Sequence, residues 1–533
     1  MRGLRFVVPL LAVLAAIALS VASPAAVAQK RGGTLVMIVQ PEPPSLASYQ
    51  NTSAPIGQVS AKIYDGLLEY GFDFKPQPSL AKSWTVSPDG KTITFKLQEG
   101  VKFHDGTPFT SADVQFTFMN VLKKVHPRGP ITFRDLVAVD TPDPYTAVFR
   151  FSQPAPYAMV ALSGYESPIL PKHVFENGDL MNHPNANKPI GTGPFKFTEW
   201  EKGQFIRLDR NPDYWRKGQP YLDRIVMRFI GDASTRTAAM EKQEAQIAAF
   251  SAVPSVELAR LSKLPFIDVS TKGYEMISPI VLIELNTTKK PFDNQKVRQA
   301  VSYAIDRKAI IDTVFFGYGK PATGPISSNF EANGLYTKDV RDYAAPNAIE
   351  MANKLLDEAG YPRKADGVRF EMTHDVIPYG EDWRRMGELI VQQLGKVGIK
   401  VNLRYEDVPT WLRRIYTNYD FEFNSNFLFT LPDPVLGVHR TYWSKNVRPG
   451  APFSNSARLT LPKVDALLEA ATVEPDHAKR AELYHQFQKI VVDEAPVIWV
   501  TEVAFTTVSN KRLHDHLVSP LGVYTSFDRA WLE

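Results

Sequence analysis

The amino-acid sequence predicts an α/β fold, and three observations favour it. The chain of 533 residues is long enough for about three domains of ordinary size. Its composition, 44% hydrophobic and 22% charged, is ordinary for a globular protein with large cores. In the second half of the chain, segments with apolar residues at helical spacing alternate with segments that have the two-residue period of strands. This alternation indicates helices packed on sheets.

The stretch 79–118 shows the local patterns most clearly. Apolar and polar residues alternate over 92–97, which predicts a strand with one buried face. Turn residues flank this strand, and a second short extended run ends at residues 104–106. Thr110 then precedes Asp113 by three residues, a spacing that indicates a capping box at the start of a helix.

Most of the predicted helices lie in the second half of the chain. Asp293 or Asn294 is placed to cap the first of them, because Asp and Asn side chains accept hydrogen bonds from free helix N–H groups. Gly360 and Gly398 are placed to end two later helices. The predicted helices begin near residues 295, 307, 348, 383 and 477, and strands follow at 401–403 and 497–500.

The first 28 residues have the pattern of a secretory signal peptide. Arg2 and Arg5 form a basic start, residues 6–22 are uncharged and apolar, and Ala26-Val27-Ala28 precedes the expected cleavage site. A retained membrane anchor is the alternative, since the apolar run nearly reaches the length that spans a bilayer. A lipid anchor would need a cysteine, and the chain has none. We expect export to the periplasm as a soluble chain that begins near Gln29.

Composition and motifs exclude several classes of function. Without cysteine the chain has no disulfide, thiol nucleophile or iron–sulfur ligand. The formal net charge of +4 gives no sign of nucleic-acid binding. Gly191 and Gly193 lack the third glycine of a dinucleotide loop, and neither H-E-x-x-H nor G-x-S-x-G occurs. We therefore expect no catalytic residue, no metal site and no cofactor.

Residues 83–114 carry many fixed residue types at fixed spacing. The pattern is S-W-x-x-S-x-D-G-x-x-x-x-F-x-L, followed by G-V-x-F-x-D-G-x-P-F-x-x-x-D-V. It closely resembles the signature of the extracytoplasmic solute-binding proteins of ABC importers, family 5, the peptide, oligopeptide and nickel class. Further matches at 191–197, 208–215 and 285–300 extend the resemblance to essentially the whole chain after the signal peptide.

The resemblance implies a two-lobed periplasmic binding protein, class II-like with an extra small domain, whose ligand cleft lies between the lobes. Such a protein catalyses nothing, because its ligand only stabilises the closed form by contacting both lobes. It presents the ligand to an ABC permease, and the ATPase of that permease, an indirect partner, does the chemistry. We expect a monomer that binds no nucleic acid. The signal peptide is predicted at 1–28. Lobe I is predicted to consist of 29–70, 188–284 and 495–533. Small domain II is predicted at 71–187, and lobe II, also called domain III, at 285–494.

Residues 427–434, with the sequence FLFTLPDP, differ from the family pattern in a way that bears on the ligand. Peptide-binding members commonly carry a W-x-x-D-Y-x-D-P-like segment, whose first aspartate pairs with the α-ammonium group of the peptide. Thr430 occupies the place of that aspartate. A threonine hydroxyl cannot offset the desolvation of a buried ammonium group as a carboxylate does. We therefore expect a ligand other than an ordinary α-amino peptide.

Eight residues are candidate ligand contacts. The aromatic-rich run 419–427 alternates, so one of its faces can line the cleft while the other lies in the core, although a core position for both remains open. In the family, a proline-rich loop like 40–46 reaches the cleft, and a solvated loop carboxylate is the alternative there. Asp433 fits a structural turn or cap better than a ligand contact. The candidates are Glu42, Tyr274, Tyr379, Trp383, Asn424, Asn426, Phe427 and Thr430.

Three functional hypotheses follow, in order. The first is a binding protein for a modified peptide, an opine-like conjugate, an oligosaccharide or an aromatic compound. The second is an ordinary di- or oligopeptide-binding protein in which Glu42 or Asp433 takes the ammonium group. The third is an exported metal-binding protein or hydrolase, for which His514-Asp515-His516 is the candidate motif and a solvated loop the alternative.

Overall fold

The computed structural model describes residues 29–533, so the predicted signal peptide lies outside the described residues. The strands are β1 (Thr34–Ile38), β2 (Leu68–Tyr70), β3 (Pro76–Pro78), β4 (Ala81–Val86), β5 (Thr92–Leu97), β6 (Leu136–Asp143), β7 (Thr146–Phe151), β8 (Phe195–Glu201), β9 (Phe205–Arg210), β10 (Arg224–Arg228), β11 (Ile247–Ala248), β12 (Ile267–Ser270), β13 (Pro279–Leu285), β14 (Gly319–Pro321), β15 (Phe370–Asp375), β16 (Ile399–Arg404), β17 (Phe423–Phe429), β18 (Val497–Val503), β19 (Thr507–Asn510), β20 (Leu513–His514) and β21 (Trp531–Leu532).

Helices connect these strands, together with short 3-10 and π-helical turns. The α-helices are α1 (Ala54–Ser60), α2 (Ser111–Phe116), α3 (Lys123–Val125), α4 (Gly129–Thr132), α5 (Lys172–Phe175), α6 (Ala233–Glu241), α7 (Ser255–Leu261), α8 (Gln295–Ala304), α9 (Arg307–Thr313), α10 (Ala348–Glu358), α11 (Glu381–Lys396), α12 (Val408–Leu412), α13 (Pro434–Gly437), α14 (His439–Tyr442), α15 (Pro462–Val473) and α16 (His477–Glu494). Within residues 29–533, no helix has the length and apolar character needed to span a membrane.

Lobe I is built on a seven-stranded mixed sheet. Its strand order is β12-β19-β11-β1-β10-β9-β8, and β1 runs parallel to both of its neighbours. β19 comes from the C-terminal part of the chain, which therefore closes the lobe that β1 begins. Leu35 and Met37 of β1 are fully buried and pack with Ile225 and Met227 of β10 in one apolar cluster.

Lobe II is built on a six-stranded sheet with the order β14-β18-β13-β17-β15-β16. β13 lies at its centre and runs antiparallel to both β17 and β18. Every residue of these three strands is buried, which is typical of strands that are covered on both faces. The helices predicted near 295, 307, 348, 383 and 477 are present as α8, α9, α10, α11 and α16.

The small domain carries a four-stranded antiparallel sheet with the order β4-β5-β7-β6. Phe95 and Phe149 of its central strands pack edge to face with ring centroids 5.2 Å apart. The predicted capping box of α2 is confirmed, because the Thr110 backbone N–H donates to Asp113 Oδ2 at 2.9 Å. The second extended run is reduced to a single bridge between Lys102 and Pro108.

The sheet pairing places both crossovers between the large lobes differently from the predicted boundaries. β13 pairs with β17 from Pro279 onward, so the chain enters lobe II before residue 285. β18 pairs with β13 in the same sheet, so the chain returns to lobe I after Val503 and not at residue 495. Both strands are mostly apolar and fully buried, and partners distant in sequence decide which sheet such strands join. The α/β class and the two-lobed architecture are confirmed.

Candidate ligand-binding site

The two large lobes are joined by polar contacts across their interface. Arg236 of α6 in lobe I forms an ion pair with Glu381, the first residue of α11 in lobe II. The hydroxyl of Ser255, at the start of α7, donates to Asp382 Oδ2 at 2.8 Å. Since α6 and α7 belong to lobe I and α11 to lobe II, these contacts define a closed arrangement of the lobes.

Aromatic side chains from both lobes meet beside these contacts. The Phe427 ring of β17 stacks on the indole of Trp383, with centroids 5.4 Å apart and planes inclined by 26°. Phe250 of lobe I packs against Phe505, with a centroid distance of 5.4 Å, and Phe505 packs edge to face against Phe427 of lobe II, at 5.1 Å. The interface therefore consists mainly of apolar ring surface with a few polar groups, a composition common in small-molecule sites.

A first cavity, of about 20 Å³, lies between the lobes at the end of β17. This volume corresponds to about one water molecule, so a larger ligand requires the lobes to separate. Its lining comes from lobe I through Thr52, Ser53 and Ala54, and from lobe II through Tyr379, Phe427, Leu428, Phe429, Arg440 and Phe453.

Four residues that line the first cavity have a buried polar atom without a hydrogen-bond partner in the described part of the chain. These atoms are Thr52 Oγ1, Ser53 Oγ, Tyr379 Oη and Arg440 Nε. Buried polar groups are normally paired, because an unpaired one loses its hydration without compensation. These atoms make the first cavity a candidate site for a polar molecule, a single water included.

A second cavity, also of about 20 Å³, is separated from the first by Tyr379, which lines both. Burial raises the pKa of Asp382 in this cavity to about 6, and its Oδ1 atom is buried without a hydrogen-bond partner among residues 29–533. The lining residues are Phe250, Ser251, Pro254, Phe315, Tyr379, Glu381, Asp382, Trp383 and Phe505.

Three of the eight predicted contact residues, Tyr379, Trp383 and Phe427, line these cavities. Tyr274 lies in the adjoining aromatic cluster, and its hydroxyl is 2.8 Å from Thr507 Oγ1. The hydroxyl of Thr430 donates to the backbone carbonyl of Ser278 at 3.0 Å. Whether any of them contacts a ligand stays a prediction.

Asn424 and Asn426 share one face of β17 and lie away from both cavities. Asn426 Nδ2 donates to the Tyr416 hydroxyl at 2.7 Å and to Glu284 Oε2 at 3.2 Å. This buried polar network lies inside lobe II, since all four residues are buried there. The face of β17 whose rings line the first cavity is instead the one that carries Phe427.

Glu42 also lies away from both cavities. Its carboxylate accepts hydrogen bonds from Trp200 Nε1 at 2.9 Å and from the backbone N–H of Gly203 at 3.1 Å. Both partners belong to the β8–β9 hairpin of lobe I, more than 150 positions away in sequence. The loop carboxylate is therefore occupied within its own lobe.

Arg440 is the one charged residue that lines the first cavity, and it was not among the predicted contact residues. It lies on α14, in the otherwise mostly apolar run 435–442, and only 3% of it is exposed. Arginine is rarely this buried without a partner. A basic residue shortly after the apolar residues 435–438 was the available signal, although the sequence alone does not show which way the side chain points.

The candidate metal motif near the C-terminus has other partners. The ring of His514 stacks on Trp531 with centroids 4.1 Å apart, and Asp515 accepts a hydrogen bond from the same indole at 3.0 Å. Across the described residues, no group of three or more His, Asp or Glu side chains is arranged to hold a metal ion.

Two lobes with separate sheets and a largely aromatic cleft between them define a two-lobed solute-binding protein. Residues 75–447 match the family model of the bacterial extracellular solute-binding proteins, family 5 middle region. The chain belongs to this family, as its sequence pattern predicted. Members of the family are substrate-binding components of ABC importers and not enzymes.

Relatives and solved structures agree with this assignment over nearly the whole chain. Heme-binding protein A of Haemophilus influenzae is 31% identical over 508 residues, covering 88% of this chain and 86% of the relative. The oligopeptide-binding protein AppA of Bacillus subtilis, in complex with a nonapeptide, is 26% identical, with a TM-score of 0.83 over 95% of this chain and 100% of that one. AgaA from A. tumefaciens R10, in complex with agropinic acid, is 28% identical, with a TM-score of 0.77 over 94% and 99%.

Proposed function

We propose that this protein captures a small organic solute between its lobes in the periplasm and delivers it, as a monomer, to the permease of an ABC importer. The observation that carries the proposal is the pair of cavities lined by residues of both lobes, beside hydrogen bonds that close the lobes. A ligand that contacts both lobes stabilises the closed form by its differential affinity for that form. In this mechanism the chain makes and breaks no covalent bond.

The proposed ligand is not an ordinary α-amino peptide. The hydroxyl of Thr430, which stands where peptide-binding members have an aspartate, is already used on a backbone carbonyl. Asp433 is bound by both terminal nitrogens of Arg480, at 2.7 and 2.8 Å. Glu42 is bonded within lobe I. The two carboxylates that could have received an ammonium group, Glu42 and Asp433, thus have partners within their own lobes, and Thr430 carries no negative charge, which supports a different ligand chemistry.

Calorimetry combined with small-angle scattering tests this proposal. Wild-type protein is titrated with a library of opine-like conjugates, aromatic acids, oligosaccharides, modified peptides, and ordinary tri- and tetrapeptides. We expect heat and a decrease in radius of gyration for one of the non-standard classes and no response to ordinary peptides. An unchanged scattering profile with every compound would contradict capture by closure.

An ordinary peptide-binding function is the second candidate, and one observation favours it. Asp382 Oδ1 is buried in the second cavity without a hydrogen-bond partner in residues 29–533, its nearest cation being Arg385 Nη1 at 4.0 Å, and a carboxylate there could pair with an ammonium group. Native mass spectrometry of freshly purified protein decides between the candidates. Co-purified peptides would appear as a ladder of bound masses, whereas the first candidate predicts a single bound species that is not a peptide series.

A further inference from the structure

Arg440 places a guanidinium group in the first cavity with no visible counter-charge. The residue is only 3% exposed, its Nε atom has no hydrogen-bond partner, and it takes part in no ion pair among residues 29–533. Burying a charged group without a partner is strongly unfavourable for a folded protein. An arginine without an ion-pair partner in a cavity between two lobes therefore indicates that a negatively charged group of a ligand binds there.

The neighbouring carboxylates do not neutralise Arg440. Glu166 is held by Arg128, whose Nε donates to it at 2.8 Å and whose Nη2 makes a second bond. Glu284 accepts hydrogen bonds from Tyr416 and Asn426 inside lobe II, and burial raises its pKa, so its charged form is disfavoured. Glu166 is paired with Arg128, and Glu284, whose charged form Arg440 favours from a distance, makes no ion pair with it, so within residues 29–533 Arg440 has no direct ion-pair partner.

Hydroxyl groups complete an anion-binding arrangement around this charge. Thr52 contributes an unpartnered hydroxyl from lobe I, while the Ser53 hydroxyl of lobe I and the Tyr379 hydroxyl of lobe II lie close enough to interact with each other. A carboxylate has two oxygens that accept bonds from the planar N–H groups of arginine and from such hydroxyls at once. An anion in this position would contact both lobes and so would stabilise closure.

The apolar residues that line the first cavity indicate the chemistry of the part of the ligand that carries no charge. Phe427, Phe429 and Phe453 contribute ring surface to the same cavity. Aromatic rings gain free energy from the burial of apolar or aromatic groups against them. The combination of one buried cation, several hydroxyls and several rings matches an acid whose carboxylate is attached to an apolar or aromatic body.

We propose that Arg440 binds the carboxylate group of the ligand and that the transported solute is an organic acid with an apolar or aromatic body. This inference rests on the proposed function, because it names the ligand chemistry of the same cleft. It adds a specificity-determining residue, since a neutral analogue of the same shape would leave the guanidinium group buried and unpaired.

Matched acids and amides test the charge requirement. Wild type and Arg440→Gln are compared by thermal melting and calorimetry with benzoate, phenylacetate and indole-3-acetate, each beside its primary amide at equal ionic strength. We expect at least one acid to raise the melting temperature of the wild type more than its amide does. In Arg440→Gln its affinity should fall about 100-fold, as expected when a buried charge loses its partner. Equal responses to acid and amide, or no response to either, would overturn the inference.

The failure of this inference can be distinguished from the failure of the proposed function. A wild type whose scattering profile shows closure on neutral or cationic solutes, but not on acids, overturns the role of Arg440 and keeps the binding function. A wild type that closes on no solute overturns both.

A pair of arginine variants tests the role of Arg440 without any ligand. Arg440→Met removes an unpaired charge, so the melting temperature of the unliganded protein should stay the same or rise. Arg128→Met is the matched control, because it leaves Glu166 buried without its partner and should lower the melting temperature. If Arg440→Met destabilises the protein as much as Arg128→Met does, Arg440 serves the fold and the inference is wrong.

Discussion

Arg236 of lobe I donates a hydrogen bond of 2.7 Å from its Nη2 atom to Glu381 Oε2 of lobe II. The guanidinium group is fixed in place, because its Nη1 also donates to the backbone carbonyls of Ile230 and Gly231. Arg236 is buried, whereas the Glu381 side chain is 34% exposed. The interaction therefore forms when a fixed donor on one lobe meets a carboxylate on the other, and it depends on closure.

Glu381→Gln should weaken ligand binding by favouring the open form. The amide oxygen still accepts a hydrogen bond, but the charge that offsets Arg236 is lost. Because Glu381 is partly exposed, the effect should be modest, about three- to tenfold in Kd. Calorimetry with the identified ligand measures it.

Glu371→Gln is the matched control for this prediction. Glu371 pairs with Lys400 on the exposed surface of lobe II, with half or more of each side chain accessible to solvent. Its substitution should leave Kd unchanged. If Glu381→Gln also leaves Kd unchanged, the ion pair of Arg236 contributes nothing to closure.

The sequence predicted local structure well, because that structure depends on neighbours in sequence. Thr110 and Asp113 form the expected capping box, and Asn294 caps α8 by accepting from the Lys296 backbone N–H. Gly360 follows α10 with a φ of +86°, in the left-handed region that glycine adopts readily. Each of these features depends only on residues within a few positions of the residue that predicts it.

The site was predicted only in part, because distant partners decide where side chains lie. Phe427 was predicted from the aromatic-rich run beside a departure from the family pattern, whereas Tyr379 and Trp383 were named only as further aromatic candidates. Glu42 is bound instead by Trp200, and no local pattern connects two residues 158 positions apart. Arg440 was missed because its significance depends on lacking a partner, which only the packed structure shows.

Ligand affinity should decrease as the pH rises from 5 to 7. In the closed form burial raises the pKa of Asp382 to about 6, whereas in the open form water reaches the carboxyl group and its pKa returns toward the ordinary value near 4. The closed form therefore binds a proton more tightly, so closure is favoured at low pH. This advantage is lost as the pH rises through 6. Between pH 5 and 7 the expected change in Kd is about tenfold.

Asp382→Asn isolates this contribution. The amide oxygen can still accept the hydrogen bond that Ser255 donates, but the side chain no longer titrates. Its Kd should vary little between pH 5 and 7 and should resemble that of the wild type at pH 5. A variant with the same pH dependence as the wild type would assign that dependence to another group.

Asp433→Asn should destabilise the protein without changing ligand affinity. Asp433 and Arg480 form a buried bidentate pair, and removing the negative charge leaves Arg480 uncompensated in lobe II. The expected loss in the free energy of unfolding is about 3–5 kcal/mol, measured by urea denaturation. Asp339→Asn breaks the exposed pair with Lys489 and should leave stability unchanged. If Asp433→Asn abolished peptide binding while stability stayed the same, Asp433 would be the carboxylate that binds the ammonium group in the ordinary-peptide hypothesis.

Trp383 should report ligand entry through its fluorescence. Its indole lines the second cavity and stacks on Phe427, so a ligand that enters the cleft changes the polarity around it. Trp383→Phe should remove most of the emission change that saturating ligand causes. Kd should rise only about threefold, because phenylalanine keeps an aromatic face toward Phe427.

Trp443→Phe is the control, since that indole donates to Glu469 in lobe II and lines neither cavity between the lobes. An undiminished signal in Trp383→Phe would place the bound ligand away from this ring.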